Sequence, residues 1–186
     1  MWKPKTDKPE APKSVLRKGA IPAALVAALG SGFAVTTLTE FEGNVNAVYP
    51  DKLAGGIPTY CAGRTDWKAP IGTTITADDC KAVNLVTVWE YGYAVLECTK
   101  WDNLSGYRLI ALTMFAINVG KVGACGSRAV TLINGGWIAD GCRAMAFGPQ
   151  GKPVWSYAGG VFVQGLHNRR KAEAALCEKD GGPEYA

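Results

Sequence analysis

The chain has 186 residues, a length that fits one domain of ordinary size with a hydrophobic core. Its 20 basic residues outnumber its 16 acidic residues by four, and residues 1–18 hold six of the basic and two of the acidic ones. The rest of the chain therefore carries 14 of each sign, so no basic face for nucleic acid is expected.

Residues 1–18 are polar and rich in lysine and proline, and we expect them to form a basic cytoplasmic tail. Residues 19–39 then give 21 positions without a charge. As a helix this segment would span about 31 Å, which is roughly the thickness of a bilayer core. Basic residues precede it and Glu40 and Glu42 follow it, so the positive-inside bias places the N-terminus in the cytoplasm.

The segment 19–39 is weakly apolar for a membrane anchor. Alanine, glycine, serine and threonine dominate it, and only seven strongly apolar side chains remain. Membrane insertion would therefore be marginal. The segment is a cleaved signal peptide, a permanent anchor, a segment that enters the membrane and later leaves it, or a buried helix of a soluble fold. The basic flank argues against the last interpretation.

Two acidic residues flank the next predicted element. Glu42 directly follows the apolar segment, and Asp51 lies nine positions later. Prolines and glycines around Asp51 exclude a continuous helix, so residues 45–49 and 57–60 are predicted to pair as a β-hairpin. A helix end with one acid that faces a hairpin with the other suits general acid–base chemistry, although two ordinary surface acids would show the same spacing.

The remainder of the chain is predicted to be mainly helical. Helices are expected over residues 77–98, 104–119, 127–134, 137–146 and 166–178, with a structured loop at 147–160 and a tail at 181–186. Thr76 and Asp79 form an N-terminal capping box for the first of these helices, and Gly92 is a candidate kink within it. The expected architecture is α+β and mostly helical, with a small β-hairpin lobe, a long connecting helix and a helical C-terminal lobe. A cleft between the lobes would hold the substrate.

The six cysteines are dispersed, and no two of them form a Cys-x-x-Cys pair. With His167 as the one histidine, this pattern argues against a zinc site, and we expect neither a metal nor a cofactor. Dispersed cysteines instead fit an oxidising compartment with up to three disulfides. A lone histidine does not support a Ser-His or Cys-His mechanism, so His167 is expected at the surface.

Several motifs, taken in their order and spacing, resemble the phage-type lysozymes of glycoside hydrolase family 24, and more narrowly their signal-anchor-release endolysins. The matching pieces are Glu42-Gly43, Asp51, Thr59 to Gly63, Phe115 to Gly120, Trp155 to Gly160, Gly165-Leu166, Asn168-Arg169-Arg170, Glu173 and the cysteines Cys80, Cys142 and Cys177. The resemblance covers about residues 19–178. It implies a lysozyme-like two-lobe fold, with a releasable membrane segment at 19–39 and a catalytic domain at 40–180.

The resemblance also implies roles for individual residues. The family's catalytic Glu, Asp and Thr map onto Glu42, Asp51 and Thr59, although seven residues separate Asp51 from Thr59 here where the family has five. Glu42 would be the general acid, partly protonated beside its apolar segment, and Asp51 would stay ionised to stabilise oxocarbenium character or to orient water. Thr59 would hold the nucleophilic water, and Arg169 would pair with Glu42 and position it. Residues 62–64 read Ala-Gly-Arg where members often have His-Gly-His.

The implied activity is hydrolysis of the β-1,4 bond between N-acetylmuramic acid and N-acetylglucosamine in peptidoglycan, for host lysis. The protein would be inactive in the host inner membrane, tethered by residues 19–39, and would act on glycan strands in the periplasm after release, as a monomer. Two alternatives stay open. One is a lytic transglycosylase, which would need Glu42 more than Asp51, and the other is a membrane-anchored binding module without catalysis.

The same resemblance makes Cys61, close to the predicted site, a candidate regulatory thiol. Residues 19–39 carry no cysteine that could exchange with it, which favours a structural or free Cys61. Among the other cysteines, the expected pairs are Cys98 with Cys125 and Cys142 with Cys177.

Overall fold

The computed structural model of the protein describes residues 20–52 and 55–183. The expected basic tail at 1–18, Gly19 and the last three residues of the expected C-terminal tail lie outside these ranges. The helices of the described chain are α1 Ala23–Gly30, α2 Gly32–Glu42, α3 Ala77–Cys98, α4 Gly106–Val119, α5 Lys121–Cys125, α6 Arg128–Asn134, α7 Ile138–Arg143 and α8 Gln164–Cys177. Its strands are β1 Val45–Asp51, β2 Ile57–Cys61, β3 Tyr157–Ala158 and β4 Val161–Phe162, and a 3₁₀ turn covers Trp101–Asn103.

The predicted β-hairpin is confirmed. Strands β1 and β2 are antiparallel, and Tyr49 lies opposite Thr59. In the turn between the strands, the Gly56 N–H donates to the carbonyl of Asp51 at 2.6 Å, and φ is 73° at Gly55 and 83° at Gly56. Glycine adopts these positive φ values without a steric cost, so the Gly-Gly pair closes the turn. The hairpin lobe has a small core of its own, made of Val48, Tyr60, Cys61, Ala69, Ile75 and Cys80.

Helix α3 connects the two lobes with the predicted bounds. Thr76 is its N-cap as predicted, because Thr76 Oγ1 accepts from the Asp79 N–H at 3.1 Å. The Asp79 side chain accepts from the Thr76 hydroxyl at 2.6 Å, in place of the backbone bond of a full capping box. The helix continues through Gly92, where a kink had been a candidate. Gly92 instead allows a close approach of α1, since a Cβ atom at Gly92 would lie 2.5 Å from Leu29 Cδ2.

Helix α4 forms the centre of the helical lobe. Every residue from Arg108 to Ala116 is buried, because other helices cover this helix on all sides. Ser105 caps its start by accepting from the Arg108 N–H at 3.0 Å, and Gly120 follows its last residue as predicted. The apolar run of α4 therefore belongs to the core of the helical lobe.

The N-terminal apolar segment is folded into the same core. Leu25, Leu29, Ala34 and Leu38 of α1 and α2 are buried in one cluster with α3 and α4. No single helix in the described ranges is long and apolar enough to cross a membrane, but α1 and α2, bent by 48°, satisfy these criteria as a pair. The boundary expected between residues 39 and 40 falls inside α2, because that helix continues from the apolar segment to Glu42.

Ser31 produces the bend between α1 and α2. Its hydroxyl donates to the Ala28 carbonyl at 2.7 Å, which helps to end α1, and it accepts from the Ala34 N–H at 3.2 Å, which caps α2. A serine at an N-cap satisfies a helix N–H that otherwise has no partner. The bend therefore follows from one residue of the segment.

The C-terminal region differs from the prediction in several short elements. The helix expected at 137–146 is limited to Ile138–Arg143, and the expected loop contains a small hairpin in which Tyr157 pairs with Phe162. The 3₁₀ turn and α5 were not predicted. Elements of two to six residues are too short to produce a recognisable hydrophobic period.

The prediction of a surface position for His167 was wrong. Only 9% of this residue is exposed, and its ring lies against the rings of Phe147 and Phe162, with centroids at 5.3 and 5.7 Å. Its Nδ1 lies 3.2 Å from Ser156 Oγ. The first turns of α8 pack under the loop that precedes them, and this tertiary contact buries the imidazole.

Three disulfides are present. The bonds Cys98–Cys125 and Cys142–Cys177 confirm the expected pairs, and the third joins Cys61 of β2 to Cys80 of α3. Cys61 is therefore buried and disulfide-bonded in this structure. This agrees with a structural cysteine and not with a free thiol. A regulatory role for Cys61 stays a prediction, and any exchange there would have to begin from a disulfide.

Candidate active site

Glu42 lies where the last turn of α2 meets the hairpin lobe. It is the final residue of the helix, and Gly43, with φ of 75°, turns the chain toward β1 while its N–H donates to the Thr39 carbonyl at 3.0 Å. The side chain of Glu42 is 23% exposed. The catalytic candidate thus combines a largely buried position with access to solvent.

Arg169 of α8 is brought against Glu42, with Nη2 at 2.6 Å from Glu42 Oε1. The same guanidinium lies over the ring of Phe41, 5.1 Å from its centroid, and Nη2 also donates to the Met114 carbonyl at 3.2 Å. These contacts join α2, α4 and α8 at one point. They place a positive charge on one side of the carboxylate, while the function of that contact stays a prediction.

Asp51 of the hairpin and Glu42 both act electrostatically on Tyr49 of β1. The pKa of Tyr49 is raised, first by burial and then by the negative charges of Asp51 and Glu42. Both acids therefore act on one phenol in β1. Thr59, directly opposite Tyr49, is 1% exposed, and its hydroxyl donates to the Ile57 carbonyl at 3.0 Å. The structure thus gives Thr59 a hydrogen bond within its own strand.

A cavity of about 300 Å³ lies beside Glu42, between the hairpin lobe, α3 and the end of α4. Besides Glu42, its lining consists of Ala62, Gly63, Arg64, Thr65, Asp66, Thr87, Glu90, Tyr91 and Ile117. This is the position that the two-lobe architecture predicted for a substrate. Polar side chains from both lobes face the space, which suits a carbohydrate.

Arg64 is the centre of an ionic network at this cavity. The sequence had suggested no role for this residue. It forms a short ion pair with Asp66, its Nε donates to Asp66 Oδ1 at 3.0 Å, and its Nη1 donates to Glu90 Oε2 at 2.8 Å. Glu90 also accepts from Lys121 Nζ at 2.7 Å. The network links the hairpin lobe through α3 to α5 of the helical lobe. The sequence did mark Arg64 in one way, because an arginine stands there where family members often have the second histidine of His-Gly-His.

The network also shifts the protonation equilibria of its acids. Hydrogen bonds from Arg64 and then from the Tyr60 hydroxyl hold the pKa of Asp66 at about 2. Lys121, followed by Arg64, lowers the pKa of Glu90. Both carboxylates therefore stay ionised at neutral pH, so the cavity wall keeps its alternating charges.

Arg170 and Glu173 are further charged residues to which the sequence assigned no role. Both side chains are 0% exposed, and Arg170 Nη2 donates to Glu173 Oε1 at 2.6 Å. The sequence could have indicated them, because two charged residues occupy the buried face of a predicted helix, where apolar residues are usual. Arg169 Nε donates to the same Glu173 oxygen at 2.9 Å, so this pair lies directly behind the Arg169–Glu42 contact.

Comparisons with known proteins agree with this geometry. The family model for phage lysozyme matches residues 39–173. The chain is 29% identical over 164 residues to a SAR-endolysin of Enterobacteria phage P21, covering 83% of this chain and 93% of the relative. It is 30% identical over 131 residues to a SAR-endolysin of Bacteriophage PS119, covering 69% and 72%.

A crystal structure of a variant of P22 lysozyme superposes with a TM-score of 0.68 at 25% identity, covering 80% of this chain and 97% of that one. The two-lobe fold predicted from the sequence is therefore confirmed. The matched region begins at residue 39 and ends at Glu173, so it includes Glu42, Asp51, Thr59 and Arg169. The chain belongs to the phage lysozyme family.

Proposed function

We propose that this peptidoglycan hydrolase is a muramidase that cleaves the β-1,4 bond between N-acetylmuramic acid and N-acetylglucosamine, with Glu42 as its general acid. One observation carries the proposal. Glu42 lines the interlobe cavity in contact with Arg169, and Asp51 acts with Glu42 on the phenol of Tyr49. Two carboxylates in different environments are what glycosidic hydrolysis requires.

In this proposal Glu42 donates its proton to the glycosidic oxygen as the bond to the muramic acid carbon breaks. Asp51, on the hairpin, stabilises the positive charge that develops on the sugar ring or orients the water that attacks it. Thr59 holds that water, for which its hydroxyl would turn away from the Ile57 carbonyl. Arg169 keeps the Glu42 carboxylate facing the cavity after the proton has left.

Replacement of Glu42 by glutamine tests the proposal. Glu42→Gln keeps the shape of the side chain and removes its proton, so the release of reducing ends from purified peptidoglycan should fall by about 100-fold or more. Glu40→Gln, an exposed acid two residues earlier, is the matched control and should keep the wild-type rate. A folded Glu42→Gln protein with wild-type activity would contradict the assignment of the acid.

The reaction products separate hydrolysis from the transglycosylase alternative. Hydrolysis adds water and leaves a reducing end on muramic acid, whereas a lytic transglycosylase leaves an anhydromuramyl end. Mass spectrometry of the fragments released by the wild-type protein should show the hydrated product. Peptidoglycan binding without any new ends would instead favour the binding module.

We also propose that residues 19–39 tether the protein to the inner membrane in an inactive form and that their release into the periplasm activates it. The buried side chains of α1 and α2, such as Leu25 and Leu29, cannot contact lipid and the α3–α4 core at the same time. Glu42 ends α2, so its position against Arg169 depends on where that helix docks. The tethered form would therefore lack an assembled site.

A further inference from the structure

The buried pair of Arg170 and Glu173 requires an explanation beyond packing. Both side chains are inaccessible to solvent, and the Arg170 guanidinium lies over the ring of Phe115 at 5.1 Å. Removing two charges from water costs free energy, and the attraction between the two charges does not always offset that cost. Within the described chain, Glu173 Oε2 and Arg170 Nε and Nη1 also have no hydrogen-bond partner. Stability alone is therefore a weak reason for this pair.

Arg169 connects the buried pair to Glu42. Its Nε donates to Glu173 Oε1 at 2.9 Å and its Nη2 donates to the Met114 carbonyl at 3.2 Å. Its 2.6 Å contact with Glu42 Oε1 is a charge contact without hydrogen-bond geometry, and that oxygen has no other donor among the described residues. Glu173 and the Met114 carbonyl of α4 thus orient the Arg169 guanidinium. In this orientation its positive charge lies next to the Glu42 carboxylate.

We propose that Glu173 is a positioning residue that orients Arg169 toward Glu42 and competes with Glu42 for its positive charge, so that it sets the upper pH limit of catalysis. This inference rests on the proposed role of Glu42 as the acid. While Glu173 is ionised, it neutralises part of the positive charge that Arg169 presents to Glu42. Without the Glu173 charge, Arg169 would act fully on Glu42 and favour its ionised form.

The surroundings of Glu173 support a change of charge in the neutral range. The charged groups that act on it are Arg169 and Arg170 on its own helix and Glu42 from α2. Burial raises the pKa of Glu173 to about 7, against the opposing effect of the two arginines. The buried Oε2 can accept a proton without breaking an existing hydrogen bond. As the pH rises through this range, Glu173 gains the charge that the proposal requires.

Glu173→Gln is the direct test, with Glu178→Gln as the control that removes an exposed acid from the end of the same helix. The measurement is kcat and KM against pH on a soluble peptidoglycan fragment. We expect the alkaline limb of Glu173→Gln to move to lower pH by about half a unit or more, which is roughly a threefold loss of kcat at pH 8. KM should not change, because Glu173 is buried away from substrate. The Glu178→Gln profile should match the wild type.

A folded Glu173→Gln protein with a wild-type alkaline limb would overturn the inference and leave Glu173 a structural role. If Arg170 without its partner prevents folding, the double variant Glu173→Gln, Arg170→Met removes both buried charges and keeps an apolar stem over Phe115. The double variant should show the same shift of the alkaline limb, and a wild-type limb in it would equally overturn the inference.

A measurement on the wild-type protein needs no variant and no activity. The NMR signal of the Arg169 Nε–H should change with pH around 7, because its acceptor Glu173 titrates there. A signal that is constant from pH 5.5 to 8.5 would overturn the inference. Failure of the proposed function would be seen separately, as activity retained by Glu42→Gln while the Arg169 signal still titrates.

Discussion

Leu29 of α1 fills the space that any side chain at Gly92 of α3 would need. A Cβ atom at Gly92 would lie 2.5 Å from Leu29 Cδ2 and 2.8 Å from Cδ1, closer than unbonded carbon atoms approach. Both residues are buried. The apolar segment and the connecting helix α3 are therefore complementary in shape, and this contact is one of those that pack the helix pair ending at Glu42 against the core.

Gly92→Ala should destabilise the folded protein by about 1–2 kcal/mol, because the added methyl group displaces a side chain that has no free space. Leu29→Ala should cost about 3 kcal/mol through the cavity that it leaves. The double variant should lose less than the sum of the two, since the smaller residue at 29 makes room for the methyl group. Urea unfolding gives all three free energies.

Gly165→Ala is the matched control for these three variants. Gly165 lies in α8, and a Cβ atom added there would have no neighbouring atom within 4 Å. The substitution should therefore leave the free energy of unfolding unchanged or raise it. Strictly additive effects of Gly92→Ala and Leu29→Ala would contradict the predicted contact.

The triple change Ala24→Leu, Ala27→Leu and Gly30→Leu should hold the protein in the membrane and delay lysis. Each leucine favours insertion by roughly 0.5 kcal/mol. In the folded form Ala24 and Gly30 are exposed and Ala27 is partly exposed, so the leucines would not enter the core. Membrane fractionation and the time of lysis measure the effect. Unchanged lysis timing would exclude release as the controlling step.

Loss of the Cys61–Cys80 disulfide should destabilise the hairpin lobe. This bond closes a loop with a sequence separation of 19, for which chain entropy gives about 3 kcal/mol. In Cys61→Ala, Cys80→Ala we expect a lower thermal midpoint and a lower peptidoglycan rate, because β2 loses its covalent attachment to α3. Cys142→Ala, Cys177→Ala is the comparison, since it should lower the midpoint without loosening the hairpin. Equal activity in the two variants would contradict a specific role at the site.

Glu173 should make stability depend on pH. Its pKa is about 7 when folded and 4.5 when unfolded, so the folded state binds more protons between these values. Its contribution to stability is therefore fully present below pH 4.5 and is lost as the pH rises through 7. The thermal midpoint should fall over this window in the wild type, and Glu173→Gln should lack that part of the slope. The same slope in both proteins would assign it to another group.

The sequence by itself determined the elements whose residues carry local rules. The N-cap at Thr76, the hairpin after Glu42 and the mainly apolar α4 lie where period, propensity and turn residues predict them, and the motif order led to the family. Local interactions are sufficient there, because neighbouring residues in the chain satisfy the hydrogen bonds or decide which face is buried.

Only the tertiary structure decided which distant groups meet. The burial of His167, the Cys61–Cys80 bond, the Arg64 network and the approach of Leu29 to Gly92 each join residues from different elements, and no local pattern encodes their separation. The same holds for Glu42, whose surroundings depend on where α8 docks. The sequence identified Glu42 as a candidate acid, but the packing of α2, α4 and α8 brings Arg169 against it.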